Sequence, residues 1–211
     1  MHKLRFPQMK IDERATFQLL ELAQDTLGDL LTVRLKTIWW WTLGMTWTLV
    51  NLRGLAQMMY DMLDAPDDLH RIMAFLRDGH LAKLDFLEEQ GLLSLNNDGT
   101  YVGSGGFGWS RELPQSDFCG RVRTCDTWGF AESQETVGVS PEMFGEFIFP
   151  YQLPILERFG LNCYGCCEPL DARWEIIQRI PNLRRVSVSP WADTARMAEM
   201  LQHSYILSYK P

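Results

Sequence analysis

The chain has 211 residues, 46% of them hydrophobic and 22% charged, enough apolar material for one domain spanning 1–211 with a substantial core. Its formal net charge of -7 repels phosphate backbones and disfavours nucleic acid as a partner, without excluding a local anion site. The opening MHKLRFPQMKIDE lacks the apolar run of a secretory leader, and the apolar stretch around Ile38-Trp39-Trp40-Trp41 falls short of the ~20 residues that cross a bilayer, so a cytoplasmic protein with no membrane association is expected.

Residues 13–27 place Phe17, Leu20, Ala23 and Leu27 at helical spacing, and 29–33 read as a short strand. The segment 48–90 reads as several helices. Pro66 with Asp67 and Asp68 marks a helix start, because Pro is tolerated in the first turn and acids favour that end. A strand is expected over 91–95, ending in the turn-like Asn96-Asn97-Asp98-Gly99. Residues 101–123 form a long Gly-rich loop, and a strand is expected over 124–130. Ser140-Pro141-Glu142 opens a helix with the apolar face Phe144, Phe147, Ile148 and Tyr151. Strands then follow over 161–166, 184–189 and 205–208, with helices over 171–180 and 193–202 between them.

Strands alternating with helices imply parallel β/α units, which curl into a barrel or lie open as a doubly wound sheet. The chain contains neither GxGxxG nor GxxxxGK[ST], so the nucleotide-binding versions lose support. About six strand candidates are present, against the eight of a full (β/α)8 barrel. The chain also stops at Lys210-Pro211, directly after a strand. An incomplete barrel is therefore expected: a truncated piece, a gene fragment, or a half completed by another chain, which leaves a homo-oligomer open.

Active sites of β/α barrels lie at the C-terminal strand ends. That rule selects 39–41, 96–98, 126–132, 166–168, 189–191 and Lys210. The sharpest segment is Cys163-Tyr164-Gly165-Cys166-Cys167-Glu168. Five cysteines, three of them crowded here, fit reduced thiols better than a disulfide framework. The metal candidates are Cys166, Cys167 and Glu168, since two thiolates and a carboxylate at a strand end can hold zinc with one position open. The plainer alternative is packing of small buried thiols. Asp126, Glu132 and Gln134 are the catalytic candidates: carboxylates in an aromatic pocket keep their protons and act as acids, although a solvated loop has the same composition. Asn97, Tyr101, Trp128 and Arg123 are candidate contacts to a small-molecule substrate, with Arg111 and Arg121 as further carboxylate clamps. Trp39, Trp40, Trp41 and Trp47 could wall a planar ligand or fill the core. The four histidines, His2, His70, His80 and His203, fall away from the proposed strand ends and carry no assigned role.

Residues 132–144, ESQETVGVSPEMF, resemble a stretch of the uroporphyrinogen decarboxylase superfamily, in which a strand-end acid, a Gln and a Ser-Pro-x-x-Phe helix start recur. Phe149-Pro150-Tyr151 through Arg158 is similar to the segment that follows, and Cys166-Cys167-Glu168-Pro169-Leu170 looks like the next strand end. The resemblance implies a TIM-type (β/α)8 barrel. One branch decarboxylates a tetrapyrrole without a cofactor. The other moves methyl groups between a corrinoid, carried by a partner protein, and a thiol or folate acceptor, commonly through zinc. The Arg-rich signature and catalytic Asp of the decarboxylases have no match here. Tyr164 stands where the methyltransferases carry a His, Cys166 matches their Cys, and their last ligand Cys would lie beyond Pro211. Methyl transfer is thus the expected activity, with tetrapyrrole decarboxylation and a non-catalytic fragment or binding subunit as alternatives.

Overall fold

A computed structural model of the chain describes residues 3–210, so His2 and Pro211 lie outside the described residues. The fold is α/β. Four helices come first: α1 (Glu13–Leu27), α2 (Thr46–Arg53), α3 (Leu55–Asp64) and α4 (Pro66–Glu89). The strands β1 (Asp98–Gly103) and β2 (Gly106–Trp109) form an antiparallel hairpin. The rest alternates: β3 (Trp128–Ala131), α5 (Pro141–Phe147), α6 (Phe149–Leu156), β4 (Leu161–Tyr164), α7 (Trp174–Ile177), β5 (Leu183–Val188), α8 (Thr194–Leu201) and β6 (Ile206–Tyr209). Strands β3 to β6 are parallel and lie side by side in chain order.

Period-2 alternation divides this sheet into two faces. Ala131, Tyr164, Val186 and Val188 point into the main core, where α2 to α8 contribute Leu49, Met58, Met73, Phe144, Ile155 and Met197, all buried. Trp128, Phe130, Leu161 and Cys163 point the other way, into a smaller core closed by Val102 of β1 and Leu113. The hairpin thus covers the face that the helices leave bare. Capping follows the sequence where side chains can cap. Ser140 accepts from Met143 N at 3.3 Å and Asp193 from Arg196 N at 3.0 Å, while Pro66 sits in the first turn of α4.

Several expected elements differ. Residues 29–33 are irregular, with Leu30 81% exposed. Among the described residues nothing pairs with this backbone as a strand would. The helix before them, α1, buries none of its residues, so its apolar stripe faces solvent. Residues 91–95 are also irregular, because side chains take the place of a ladder partner. Thr37 Oγ1 and Trp39 Nε1 both donate to Leu92 O, at 2.7 and 2.8 Å, and Thr37 N donates to Ser94 Oγ at 3.1 Å. The first part of the Gly-rich loop, 101–109, belongs to the β1–β2 hairpin, turning on Ser104 and Gly105, and 110–123 are irregular. The strand expected over 124–130 begins four residues later, because a 3-10 turn at Thr124–Asp126 occupies its start. Of the six strand candidates, four are the parallel strands β3 to β6 and two, 29–33 and 91–95, are not strands; the antiparallel pair forms in residues read as turn and loop.

Candidate functional site

The shift of β3 separates the two carboxylates that the sequence placed together. Asp126 precedes the strand and Glu132 follows it, so they lie at opposite ends of the sheet. Asp126 is fully committed there. It accepts from Arg123 N at 3.0 Å, from Gln115 N at 3.0 Å and from Arg123 Nε at 2.9 Å, and Arg123 is also paired with Asp117. Arg123 and Asp126 therefore brace the strand entrance. Asn97 donates to Leu113 O at 2.6 Å and Tyr101 packs edge-on to Phe107, both within the hairpin region. Trp128 is buried against the hairpin at the first position of β3. Arg121 donates to Glu88 O at the end of α4, at 2.6 Å, and Arg111 is exposed. None of these residues meets the thiols at the other end. Of the tryptophans, Trp39 and Trp40 are partly buried and hold loops together, while Trp41 and Trp47 are exposed.

The C-terminal ends of β3 and β4 do bring the expected groups together. Glu168 is the tie between them: its carboxylate accepts from Ser133 N after β3 at 2.7 Å and from Cys166 N after β4 at 3.0 Å. Glu132 is fully buried. Its Oε2 accepts from Gln134 N at 2.9 Å, and its Oε1 has no partner. Burial pushes the Glu132 carboxyl up to about 8; the Gln134 N–H opposes this and the nearby Glu168 and Glu135 add to it. Glu168 is raised as well, chiefly by burial. Glu132 thus holds its proton at neutral pH in a site from which water is excluded.

A polar network with no motif to mark it in the sequence ties this end together. Tyr164 OH donates to Gln152 Oε1 at 2.7 Å and lies 3.2 Å from Ser133 Oγ. Gln152 Nε2 donates to Glu132 O at 3.0 Å and to Gly44 O at 2.6 Å. The buried Arg173 donates to Thr136 Oγ1 at 3.0 Å, to Val139 O at 2.8 Å and to Ser133 Oγ at 3.3 Å, with its guanidinium 4.7 Å from the Phe144 ring centre. Each buried polar group in it answers another, which is the condition for such a network to be stable.

The thiols grade from core to surface. Cys163 is buried in apolar packing and its thiol is pushed up to about 11. Cys166 is 6% exposed and Cys167 is exposed, with their sulfurs 3.7 Å apart. Burial pushes the Cys166 thiol up, while the Ser104 hydroxyl and the Lys210 ammonium favour its charged form. Lys210, which follows β6, donates to Cys166 O at 3.1 Å and reaches Cys166 Sγ at 3.6 Å.

The sulfur separation matches the ~3.8 Å between two thiolates on a tetrahedral zinc with Zn–S of ~2.3 Å. Glu168 does not join them, because its oxygens are taken by backbone N–H groups. Among the described residues no group of three His, Cys, Asp or Glu side chains is arranged to hold a metal. Among the described residues the pair could offer a zinc ion two ligands at most. Among the described residues no helix is long and apolar enough to cross a membrane. The chain matches no protein-family model, no curated protein and no solved structure in the comparisons made.

Proposed function

We propose that the chain belongs to a β/α barrel enzyme of the uroporphyrinogen decarboxylase type, moving a methyl group between a partner's corrinoid and a thiol or folate acceptor. The barrel reading is supported by the strand order. Doubly wound sheets reverse direction at a switch point, whereas β3 to β6 run in unbroken succession, as barrel strands do. The functional reading rests on one observation: the Cys166–Cys167 sulfur pair and the buried Glu132 carboxyl gather at the same C-terminal strand ends, joined through Glu168. In this reading the thiols line the place where the acceptor sulfur sits, and Lys210 and Ser104 favour negative charge on sulfur there. Glu132 and Gln134 orient the acceptor.

Free methylcobalamin serves as the test donor, with small thiols and tetrahydrofolate as acceptors. The wild-type chain is expected to bleach the methylcobalamin spectrum, and Cys166→Ala to do so at least tenfold more slowly, roughly the loss of one oriented contact. Equal rates in the two proteins, or no demethylation with any acceptor, would defeat the reading. A decarboxylase reading is favoured by Glu132 alone, because a carboxyl that keeps its proton to about pH 8 can deliver it to the carbon left by departing CO2. Release of CO2 from uroporphyrinogen, lost in Glu132→Gln, would select it over methyl transfer.

A further inference from the structure

Arg185 and Lys210 are cations without acids. The chain has 27 acidic residues against 20 basic ones, and Arg53, Arg123, Arg158 and Arg184 all pair with carboxylates. Among the described residues, Arg185 and Lys210 do not. Arg185 projects from the hairpin face of β5 and is 6% exposed. Its Nη2 donates to Gly103 O at 2.7 Å, and its Nε is buried with no partner. A Cβ at residue 106 would lie 1.7 Å from Arg185 Nη1, so glycine there is what lets the hairpin rest on the guanidinium. Two residues along β5 on the same face, Ser187 Oγ lies 3.0 Å from Ser104 Oγ at the hairpin turn. Lys210 Nζ, beyond β6, lies 3.1 Å from Cys166 O and 3.6 Å from its Sγ.

A guanidinium taken out of water without a counter-charge costs several kcal/mol, which a protein retains where something compensates it. We infer that the space between the hairpin turn and the ends of β4, β5 and β6 binds a small oxyanion, a carboxylate or phosphate borne by the substrate. Arg185, Lys210, Ser104 and Ser187 are its donors. A planar guanidinium with a free Nε–H, and the ammonium held at Cys166, match the oxygens of either group. An oxyanion bound there takes over the donors now spent on the Arg185–Gly103 and Ser104–Ser187 hydrogen bonds. The site does not depend on which group is transferred at Cys166, so it extends the proposed function without requiring it.

The test is thermal shift and calorimetric titration of the full chain at low ionic strength, with inorganic phosphate and with succinate in separate arms, against sodium chloride at equal ionic strength. One of the two anions is expected to raise Tm and bind saturably where chloride does not, and the arm that responds names the oxyanion. Lys210→Met, at a partly exposed position, is expected to bind about tenfold more weakly, and Arg185→Met likewise, as the loss of one charge-assisted hydrogen bond predicts. If Arg185→Met fails to fold, Lys210→Met still decides. No response to either anion, or unchanged binding in Lys210→Met, overturns the inference. Binding is read without turnover, so anion binding with no methyl transfer would sink only the proposed activity.

Discussion

Glu132 and Glu168 show how two neighbouring carboxyls take different work from their surroundings. Glu168 has its oxygens filled by backbone N–H groups and ties two strand ends together; Glu132 has one oxygen filled and one bare. The raised Glu132 has a consequence for stability. Between its ordinary 4.5 and the folded value of about 8, the native chain holds a proton that the unfolded chain has released. Stability then falls as pH rises through that window, at up to ~1.4 kcal/mol per pH unit for one group, and Glu168 adds to the slope in the same direction. Glu132→Gln, which mimics the protonated acid, is expected to flatten this descent, so the variant gains Tm over wild type at pH 8 and matches it near pH 5. A variant whose Tm difference from wild type does not change with pH would show that Glu132 is ionised in the fold. The thiols, Glu132 and Gln134 were legible in the sequence because a strand-end rule needs only the end of a strand. Asp126 was misplaced because that rule is only as good as the strand start. A carboxylate capping its own 3-10 turn looks, in sequence, like one lying at the end of a strand.

At the scale of elements, the parts read correctly are those whose ends carry their own chemistry. Ser140-Pro141 and Asp193 open α5 and α8, and Pro66 opens α4, each through local contacts that the sequence displays. The irregular stretch at 91–95 escaped because its partners, Thr37 and Trp39, are more than fifty positions away. The hairpin escaped because its glycines read as a loop. Strand β5 did carry a signal for what it holds: Arg185 and Ser187 alternate with Val186 and Val188, so one face of a buried strand is polar. Arg173 lies in a 3-10 turn with no such pattern, and only the fold brings it to the Ser133–Thr136 turn. Arg173→Met leaves the buried Val139 carbonyl unanswered and takes one of the two donors from that of Thr136, which keeps the Val139 N–H. It is expected to cost ~3 kcal/mol or more, a fall in Tm of ~6 °C or more for a chain of this size. A Tm within ~2 °C of wild type would mean that water enters this network and takes over the lost bonds.

At the scale of the whole molecule, the α/β class and the parallel sheet followed from the alternation of elements, and the four strands of that sheet were each anticipated to within a few residues. The hairpin on the opposite face was not, since nothing in residues 98–109 states which surface they will cover. Each parallel strand lies beside its predecessor in the chain, so the segment from β3 to β6 closes through loops of modest length. The N-terminal half reaches it from much farther away: Leu43 N donates to Phe130 O at 2.9 Å, and Gln152 reaches Gly44 across 108 positions. Short-range closures form with less loss of chain entropy than long ones. The sheet is therefore the piece able to assemble early, while Glu132 becomes sealed only once the distant segment arrives. In pulse-labelled hydrogen exchange, the amides of β4 and β5 should gain protection before that of Leu43. Simultaneous protection would mean a single cooperative nucleus spanning both halves. A chain built in this order passes through a moment when its acid is still wet and its strands are already paired.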